Sequence, residues 1–133
     1  MVKLPRKLPV RGAPPAPSLA ERHPDWFALG AVALSPGWVA LVDRLFADLE
    51  AGLDADERAR LQVAAVRERD GRLQIELYQD VPAARARIDR AVAEAATICQ
   101  SCGAPGKRRR FTGWAATLCT PCRRRLGGIR IGG

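Results

Sequence analysis

Two short stretches of the sequence decide the fold, CQSC at residues 99–102 and CTPC at residues 119–122. They contain all four cysteines of the 133-residue chain. Two residues between paired cysteines allow one tight turn to direct both sulfurs at a metal ion about 2.3 Å away. Sixteen residues separate the two pairs, a spacing typical of four-cysteine zinc sites. Because that segment is long enough for a hairpin that returns the second pair to the first, we predict a zinc ribbon over residues 99–126.

The predicted ligands of a single structural Zn²⁺ ion are Cys99, Cys102, Cys119 and Cys122. Four protein thiolates complete a tetrahedron and leave no position for water or substrate, so the metal would stabilise the fold without taking part in a reaction. Three other uses of the cysteines stay open: disulfide bonds in a secreted protein, a redox-active pair at a helix start, and an iron site. The sequence shows no signal peptide, no thioredoxin-like pattern and no electron-transfer feature, so zinc is favoured.

Basic residues concentrate around the predicted ribbon. The chain has a formal net charge of +8, and residues 99–133 hold eight basic and no acidic side chains. Arginines engage phosphates, and an exposed aromatic ring can stack on a base, although Trp114 could instead pack on the ribbon and the arginines could simply be solvated. The predicted nucleic-acid-binding residues are Lys107, Arg108, Arg109, Arg110, Arg123, Arg124 and Arg125, with Phe111 and Trp114 as candidate stacking residues.

An amphipathic helix is predicted upstream of the ribbon. Ser35 and Pro36 have the residue types of an N-cap and a first helical position. Apolar residues then recur at helical spacing, and Gly52 can end the helix. The apolar face consists of Trp38, Leu41, Val42, Leu45, Phe46 and Leu49. The helix should therefore be buried on one side.

A β-hairpin should follow this helix. Asp54 and Glu57 have the spacing of a capping box, which predicts a short helical turn. The pair Asp70-Gly71 lies between an apolar run and the alternating residues 73–78, which is typical of a hairpin with a type I′ turn. One face of the second strand should pack on the helix.

A second helix is predicted from Pro82 to Ile98, running directly into Cys99, because alanine, valine and isoleucine recur there with helical periodicity. The predicted fold class is therefore α+β. It consists of a helix–β-hairpin–helix domain over residues 23–98, followed by the four-cysteine zinc ribbon.

The two ends of the chain are predicted to be flexible. Residues 1–22 combine five prolines with a net charge of +4, which predicts a basic, extended arm. Residues 127–133 form a glycine-rich tail. His23, the only histidine, is expected at the surface. The sequence has no apolar stretch of the roughly 18 residues needed to span a bilayer and no signal peptide, so we expect a soluble, cytoplasmic protein.

The chain from Gly37 to Cys122 resembles a family of small, largely uncharacterised bacterial and phage zinc-ribbon proteins. Relatives in that family tend to carry phenylalanine where Asp70 stands and often histidine where Cys122 stands. The resemblance implies a fold and a metal but brings no function with it. The residues that carry it are Gly37-Trp38, residues 67–73, residues 99–106 (CQSCGAPG), Gly113-Trp114 and Thr117-Leu118-Cys119.

Three functions are compatible with the sequence, and none is enzymatic, since no nucleophile–base pair or phosphate-binding glycine loop is present. The first hypothesis is binding to DNA, RNA or a ribonucleoprotein through the basic ribbon and arm. The alternative is a protein-binding adaptor or inhibitor, such as a phage accessory factor, an antitoxin-like partner or an assembly subunit, with Trp26, Phe27 and Trp114 as anchors. The third places the working surface on the acidic face of the first helix. No small-molecule substrate and no membrane partner are expected.

Overall fold

The structure is a computed structural model that describes residues 18–128; residues 1–17 and 129–133 lie outside the described range. It is a mixed α+β arrangement, as predicted. In chain order the elements are α1 (Leu19–Arg22), β1 (Ala31–Ala33), a 3-10 helix (Pro36–Trp38), α2 (Val39–Gly52), α3 (Ala55–Arg60), β2 (Val63–Arg69), β3 (Arg72–Leu77), α4 (Pro82–Ala95), β4 (Lys107–Phe111), β5 (Trp114–Leu118) and α5 (Thr120–Gly128). Within residues 18–128, each helix is too short or too polar to cross a membrane.

The last five residues of the predicted flexible arm form α1 and its cap. The Ser18 hydroxyl accepts a hydrogen bond from the Glu21 N–H at 3.1 Å, and the Glu21 carboxylate accepts one from the Ser18 N–H at 2.7 Å. Leu19 is buried in the core, and Arg22 pairs with Asp43 of α2. The prediction was wrong here because a capping box and one buried leucine outweigh the prolines that precede them. The rest of the predicted arm lies outside the described residues.

Three side chains in the segment after α1 are largely buried, contrary to two predictions. The His23 side chain is only 11% exposed, with its Nδ1 atom 3.0 Å from the Glu50 carboxylate and its ring stacked on Trp26. Trp26 and Phe27, proposed above as protein-binding anchors, are each 5% exposed and pack against Phe46. These aromatic residues are therefore core residues and are not available to a partner.

A three-stranded sheet with the order β1-β2-β3 forms the centre of the domain. The β2–β3 hairpin is antiparallel, and its turn residues Asp70 and Gly71 have φ values of 51° and 80°, which confirms the predicted turn. Strand β1 pairs in parallel with β2 and was not predicted. The three residues Ala31-Val32-Ala33 are all exposed, so they carry no alternation that could indicate a strand.

The domain core lies between the sheet and helices α2 and α4. All six residues of the predicted apolar face of the first helix are buried, although the Ser35-Pro36 start is a 3-10 turn in which the serine side chain makes no cap. The capping box of Asp54 and Glu57 is present as predicted. Twenty buried residues form this core, including Leu73 and Ile75 from β3 and Ile88 from α4.

Helix α4 ends at Ala95, three residues before the predicted end, so it does not run directly into the first cysteine. The hydroxyl of Thr97 donates to the carbonyl of Glu94 at 2.8 Å and closes the helix. Ile98 then forms an isolated antiparallel bridge with Pro105. Thr97 and Ile98 are both β-branched, and their preference for extended backbone accounts for the early end of the helix.

The rest of the described chain, residues 99–128, is here called the cysteine module. Strands β4 and β5 form the predicted hairpin between the cysteine pairs. Helix α5 was not predicted: it carries the last three arginines of the predicted binding set and continues to Gly128. The flexible tail predicted over residues 127–133 is thus wrong for its first two residues, and the remaining five lie outside the described range.

The cysteine module is joined to the domain at the start of the first long helix. The indole N–H of Trp38 donates to the carbonyl of Ile98 at 2.9 Å, and the Gly37 N–H donates to the carbonyl of Gln100 at 2.8 Å. A Cβ atom at Gly37 would overlap the Cys99 carbonyl oxygen. Only glycine lets the chain approach the first cysteine pair this closely.

The second contact between module and domain is the hairpin turn. The Thr117 hydroxyl donates to the Gly71 carbonyl at 2.6 Å, and Arg108 Nε donates to the Asp70 carbonyl at 2.9 Å. A Cβ atom at Gly71 would lie 2.9 Å from the Cα of Ala116. The turn therefore fits directly onto strand β5.

Candidate metal centre

The fold brings all four cysteine sulfurs together, as the sequence predicts. Their Sγ atoms all lie within 4.8 Å of one another, and none of the four cysteines forms a disulfide bond. Around a tetrahedral metal with bonds of about 2.3 Å, neighbouring sulfurs lie about 3.8 Å apart. The 3.6 Å between the sulfurs of Cys102 and Cys119 is close to that spacing. The four sulfurs could therefore hold one metal ion.

The first cysteine pair lies on a tight backbone turn. The Gly103 N–H donates to the Cys99 carbonyl at 2.9 Å, and the Cys99 N–H donates to the Ala104 carbonyl at 2.7 Å. Gly103 has a φ of 87°, a left-handed conformation that favours glycine. The turn directs both sulfurs to the same side. Cys99 is buried, whereas Cys102 is an exposed residue.

The second cysteine pair lies at the beginning of α5. Cys119 immediately precedes the helix and Cys122 lies in its first turn, where the Arg123 N–H donates to the Cys119 carbonyl at 3.0 Å. A helix start is the position expected of a redox-active pair. The strand before it is antiparallel to its neighbour, however, and the other two sulfurs lie beside it, which fits a metal ligand set better than a thioredoxin-like site.

The electrostatics of the cluster also fit a cation. Burial raises the pKa of the Cys99 thiol, but backbone hydrogen bonds from Cys119, Cys102 and Ser101 outweigh it and lower that pKa to about 6. A backbone hydrogen bond from Cys122 lowers the pKa of Cys119, whereas burial and the neighbouring thiols raise it, with a net pKa of about 11. Thiols this close titrate as a group, because the first negative charge opposes the next. A divalent cation removes the conflict, since all four can then be thiolates.

Comparison with protein-family models, curated proteins and solved structures finds no match for this chain. The donor set and its geometry alone therefore indicate the metal centre.

Three of the seven predicted nucleic-acid-binding residues have structural roles within the protein. Arg108 binds the hairpin turn, as described above. Arg109 donates from Nε to the Leu118 carbonyl at 3.0 Å and from Nη2 to the Thr120 hydroxyl at 3.2 Å, which ties β4 to the start of α5. Arg125 donates from Nη2 to the Cys122 sulfur at 2.9 Å and so places a positive charge beside the thiol cluster.

The other four predicted residues are Lys107, Arg110, Arg123 and Arg124. All four are exposed, and within residues 18–128 none of them takes part in a side-chain hydrogen bond or an ion pair. Residues 99–133 contain no acidic side chain that could neutralise them. Their charges are thus available to a partner molecule.

The two aromatic residues of the module stack on each other. The ring centroids of Phe111 and Trp114 lie 4.3 Å apart with an interplanar angle of 15°. Both side chains are partly buried against the small cluster formed by three cysteines, Ala116 and Leu118. Stacking of either ring on a nucleic-acid base stays a prediction, whereas within the protein the two rings stack on each other.

Sequence reasoning missed two residues that shape the centre. The backbone of Gly106 lies against both cysteine pairs, because a Cβ atom there would be 3.0 Å from the backbone nitrogens of Cys99 and Cys119. Thr117 is fully buried; its N–H donates to the Gln100 side chain at 2.9 Å. The glycine could have been noticed in the CQSCGAPG motif, but nothing in the sequence indicates the role of the threonine.

Proposed function

We propose that the four cysteines hold one structural zinc ion in a zinc ribbon and that the protein binds nucleic acid without catalysing a reaction. The observation that carries this proposal is the set of four exposed cations, Lys107, Arg110, Arg123 and Arg124. Two of them lie on β4 and two on α5, and Arg109 ties β4 to the start of α5 beside Cys119. With the metal bound, β4 and α5 would be fixed relative to each other, and so would their positive charges.

Zinc is the metal that best suits this site. Four thiolates in tetrahedral arrangement bind zinc or iron, and they leave no open position at the ion. The cluster packs against apolar side chains, including Ala116 and Leu118, and against Arg125, an arrangement suited to stabilising the fold. Elemental analysis of protein purified without chelators should give one zinc per chain, and a stoichiometric amount of iron would refute this assignment.

A salt titration tests nucleic-acid binding. Phosphate contacts release counterions, so the logarithm of the affinity should fall linearly with the logarithm of the salt concentration. Replacing Arg123 and Arg124 by glutamine should weaken binding and reduce the slope by about 2, since each lost phosphate contact removes about 0.9. Filter binding of labelled DNA and RNA to the zinc-loaded full chain gives both quantities.

A matched control uses an exposed arginine of the domain. Arg90 on α4 is exposed and, within the described part of the chain, has no hydrogen-bond or ion-pair partner for its side chain. Its replacement by glutamine changes the net charge without touching the cysteine module and should leave the salt slope unchanged. Equal effects from both sites would indicate non-specific attraction to a basic protein, and no salt-dependent binding at all would refute the proposal.

A second candidate function is binding to another protein. The observation that favours it is an exposed apolar group on the domain, in which Leu29 is 71% exposed and Val32 lies on the edge strand β1. Exposed strand edges can pair with a strand from a partner. Co-purification with nuclease treatment separates the two functions, because a protein partner that survives digestion favours this second one. The acidic helix face is less suited, since Asp43 and Glu50 already pair with Arg22 and His23.

A further inference from the structure

A groove of about 450 Å³ runs along the cysteine module beside the metal centre. That volume is within the range of small-molecule and base-binding pockets. Its walls are mostly apolar and come from four parts of the chain: strand β5, helix α5, the start of the 3-10 helix and residues 100–101 between the first two cysteines. The residues that matter for its chemistry are Trp114, Leu118, Leu126, Arg125 and Ser35.

One wall of the groove is formed by Trp114, and Phe111 supports its indole ring. Phe111 stacks on Trp114 at 4.3 Å but does not itself line the groove. The groove therefore borders a part of Trp114 that Phe111 leaves uncovered. Such a ring, held in place by Phe111, is a platform on which a planar group can stack without ordering a mobile side chain.

The charge around the groove selects for an anionic ligand. Arg125 lines the groove, and its hydrogen bond to the Cys122 sulfur holds the guanidinium there. Arg123 and Arg124 are exposed on the same helix, and among residues 18–128 the groove has no acidic lining residue. The Ser35 hydroxyl also lines it and makes no helix cap, so it can hydrogen-bond the edge of a base.

We infer that this groove receives an unpaired base of single-stranded nucleic acid, with the base stacked on Trp114 and the adjoining phosphates bound by the arginines of α5. The inference rests on the proposed function and narrows it to one class of nucleic acid. A base in a duplex is stacked on its neighbours and cannot enter the groove, whereas single strands expose their bases to aromatic platforms. Duplexes would meet only the exposed cations.

The test compares one sequence in two forms. Fluorescence anisotropy measures binding of the zinc-loaded full chain to an oligothymidylate of about 12 nucleotides, alone or annealed to oligoadenylate. Replacing Trp114 by leucine should weaken single-strand binding about tenfold and leave duplex binding unchanged, because stacking contributes roughly that factor per base. Replacing it by phenylalanine should restore most of the affinity. Tyr78→Leu, which removes an exposed aromatic outside the groove, should change neither.

A second measurement needs no variant and does not depend on whether Trp114→Leu folds. Oligothymidylate carrying 5-iodouracil should crosslink to the unaltered protein at Trp114, identified by mass spectrometry of the digest. Crosslinks confined to the arginines of α5, together with no effect of Trp114→Leu on binding, would show that the strand contacts the protein through charge alone. An acidic protein surface could make the same contacts. This result would overturn the inference but would leave the proposal of nucleic-acid binding intact. Failure of the unaltered protein to bind either form would overturn both.

Discussion

The domain and the cysteine module are stabilised by different means. The domain buries twenty residues in one apolar cluster, whereas the module buries five residues in its own cluster, three of them cysteines. Small folds without a sufficient core depend on metals or disulfides. The comparison indicates that the domain can fold by apolar burial, whereas we expect the module to depend on a metal ion bound by its four cysteines. Two sets of contacts, at Gly37-Trp38 and at Asp70-Gly71, connect these unlike regions.

The largest effect should follow from removing one metal ligand. Replacing Cys119 by serine should abolish metal binding, and the module should then unfold, because structural zinc contributes about 10 kcal/mol or more to folding in small zinc domains. Hydrogen exchange should rise throughout residues 99–128 while α2 and α4 stay protected. Ser101→Ala, between the first two ligands, is the control and should keep the metal. Loss of protection in α2 and α4 would show that the two regions are one cooperative unit.

A break in the domain core is the converse experiment. Phe46 is fully buried and contacts Phe27 with ring centroids 5.1 Å apart. Its replacement by alanine should cost about 3–5 kcal/mol of unfolding free energy, measured by urea denaturation, since it removes a large ring and leaves a cavity.

The metal content of the Phe46→Ala variant shows whether damage to the domain core also affects the cysteine module. Phe46→Ala should keep its metal in the absence of urea, because the module has its own cluster. Val39→Ala, at an exposed position of the same helix, should change stability by no more than about 0.5 kcal/mol. Release of the metal from the Phe46 variant without urea would contradict the separation of the two regions.

Substitutions at two glycines can distinguish the cost of backbone strain from the cost of disturbing the contact between the domain and the cysteine module. Gly71 and Gly113 have nearly equal φ values of 80° and 82°, so alanine at either position carries a similar strain of about 1 kcal/mol. Only Gly71 faces strand β5; at Gly113 an added Cβ has nothing within 4 Å. Gly71→Ala should therefore lower the free energy of unfolding, measured by thermal or urea denaturation, by about 1–3 kcal/mol more than Gly113→Ala does. Equal costs would mean that the hairpin turn does not support the module.

The smallest expected effect compares two indole hydrogen bonds. Trp38 donates to the carbonyl of Ile98, the residue that precedes the first cysteine, and Trp26 donates to the Arg58 carbonyl at 3.1 Å elsewhere in the domain. Phenylalanine at either position should cost about 1–2 kcal/mol, because a carbonyl loses its partner. The loss at Trp26 should be the same with and without metal, whereas the loss at Trp38 should be larger in the metal-loaded protein, because the Ile98 carbonyl is held in place beside Cys99. Urea unfolding with and without chelator measures both.

The sequence predicted those parts whose chemistry is local. The two cysteine pairs, the Asp70-Gly71 turn and the Asp54–Glu57 capping box each depend on residues a few positions apart, so their residue types are sufficient. The apolar face of α2 was equally clear, since helical periodicity repeats along the chain. The mixed α+β fold followed from these elements.

The parts that could not be predicted depend on distant contacts. Strand β1 is too short and too exposed to show a pattern, and it exists because β2 offers a free edge beside it. The assignment of seven basic residues to a binding surface was too simple, because Arg108, Arg109 and Arg125 are recruited by carbonyl oxygens and a sulfur that lie elsewhere in the sequence or on a helix that was not predicted. Residue type alone does not reveal such partners.

The hydrogen bond between Trp38 and Ile98 also sets an order of folding. It joins residues 60 positions apart, with the hairpin and three helices between them. Closing so long a loop carries an entropic cost that nearby pairings avoid, so we expect the hairpin and its helices to form first and to shorten the path between the two ends. The sulfurs would then meet the ion on a preformed platform, as the final step in the maturation of the chain.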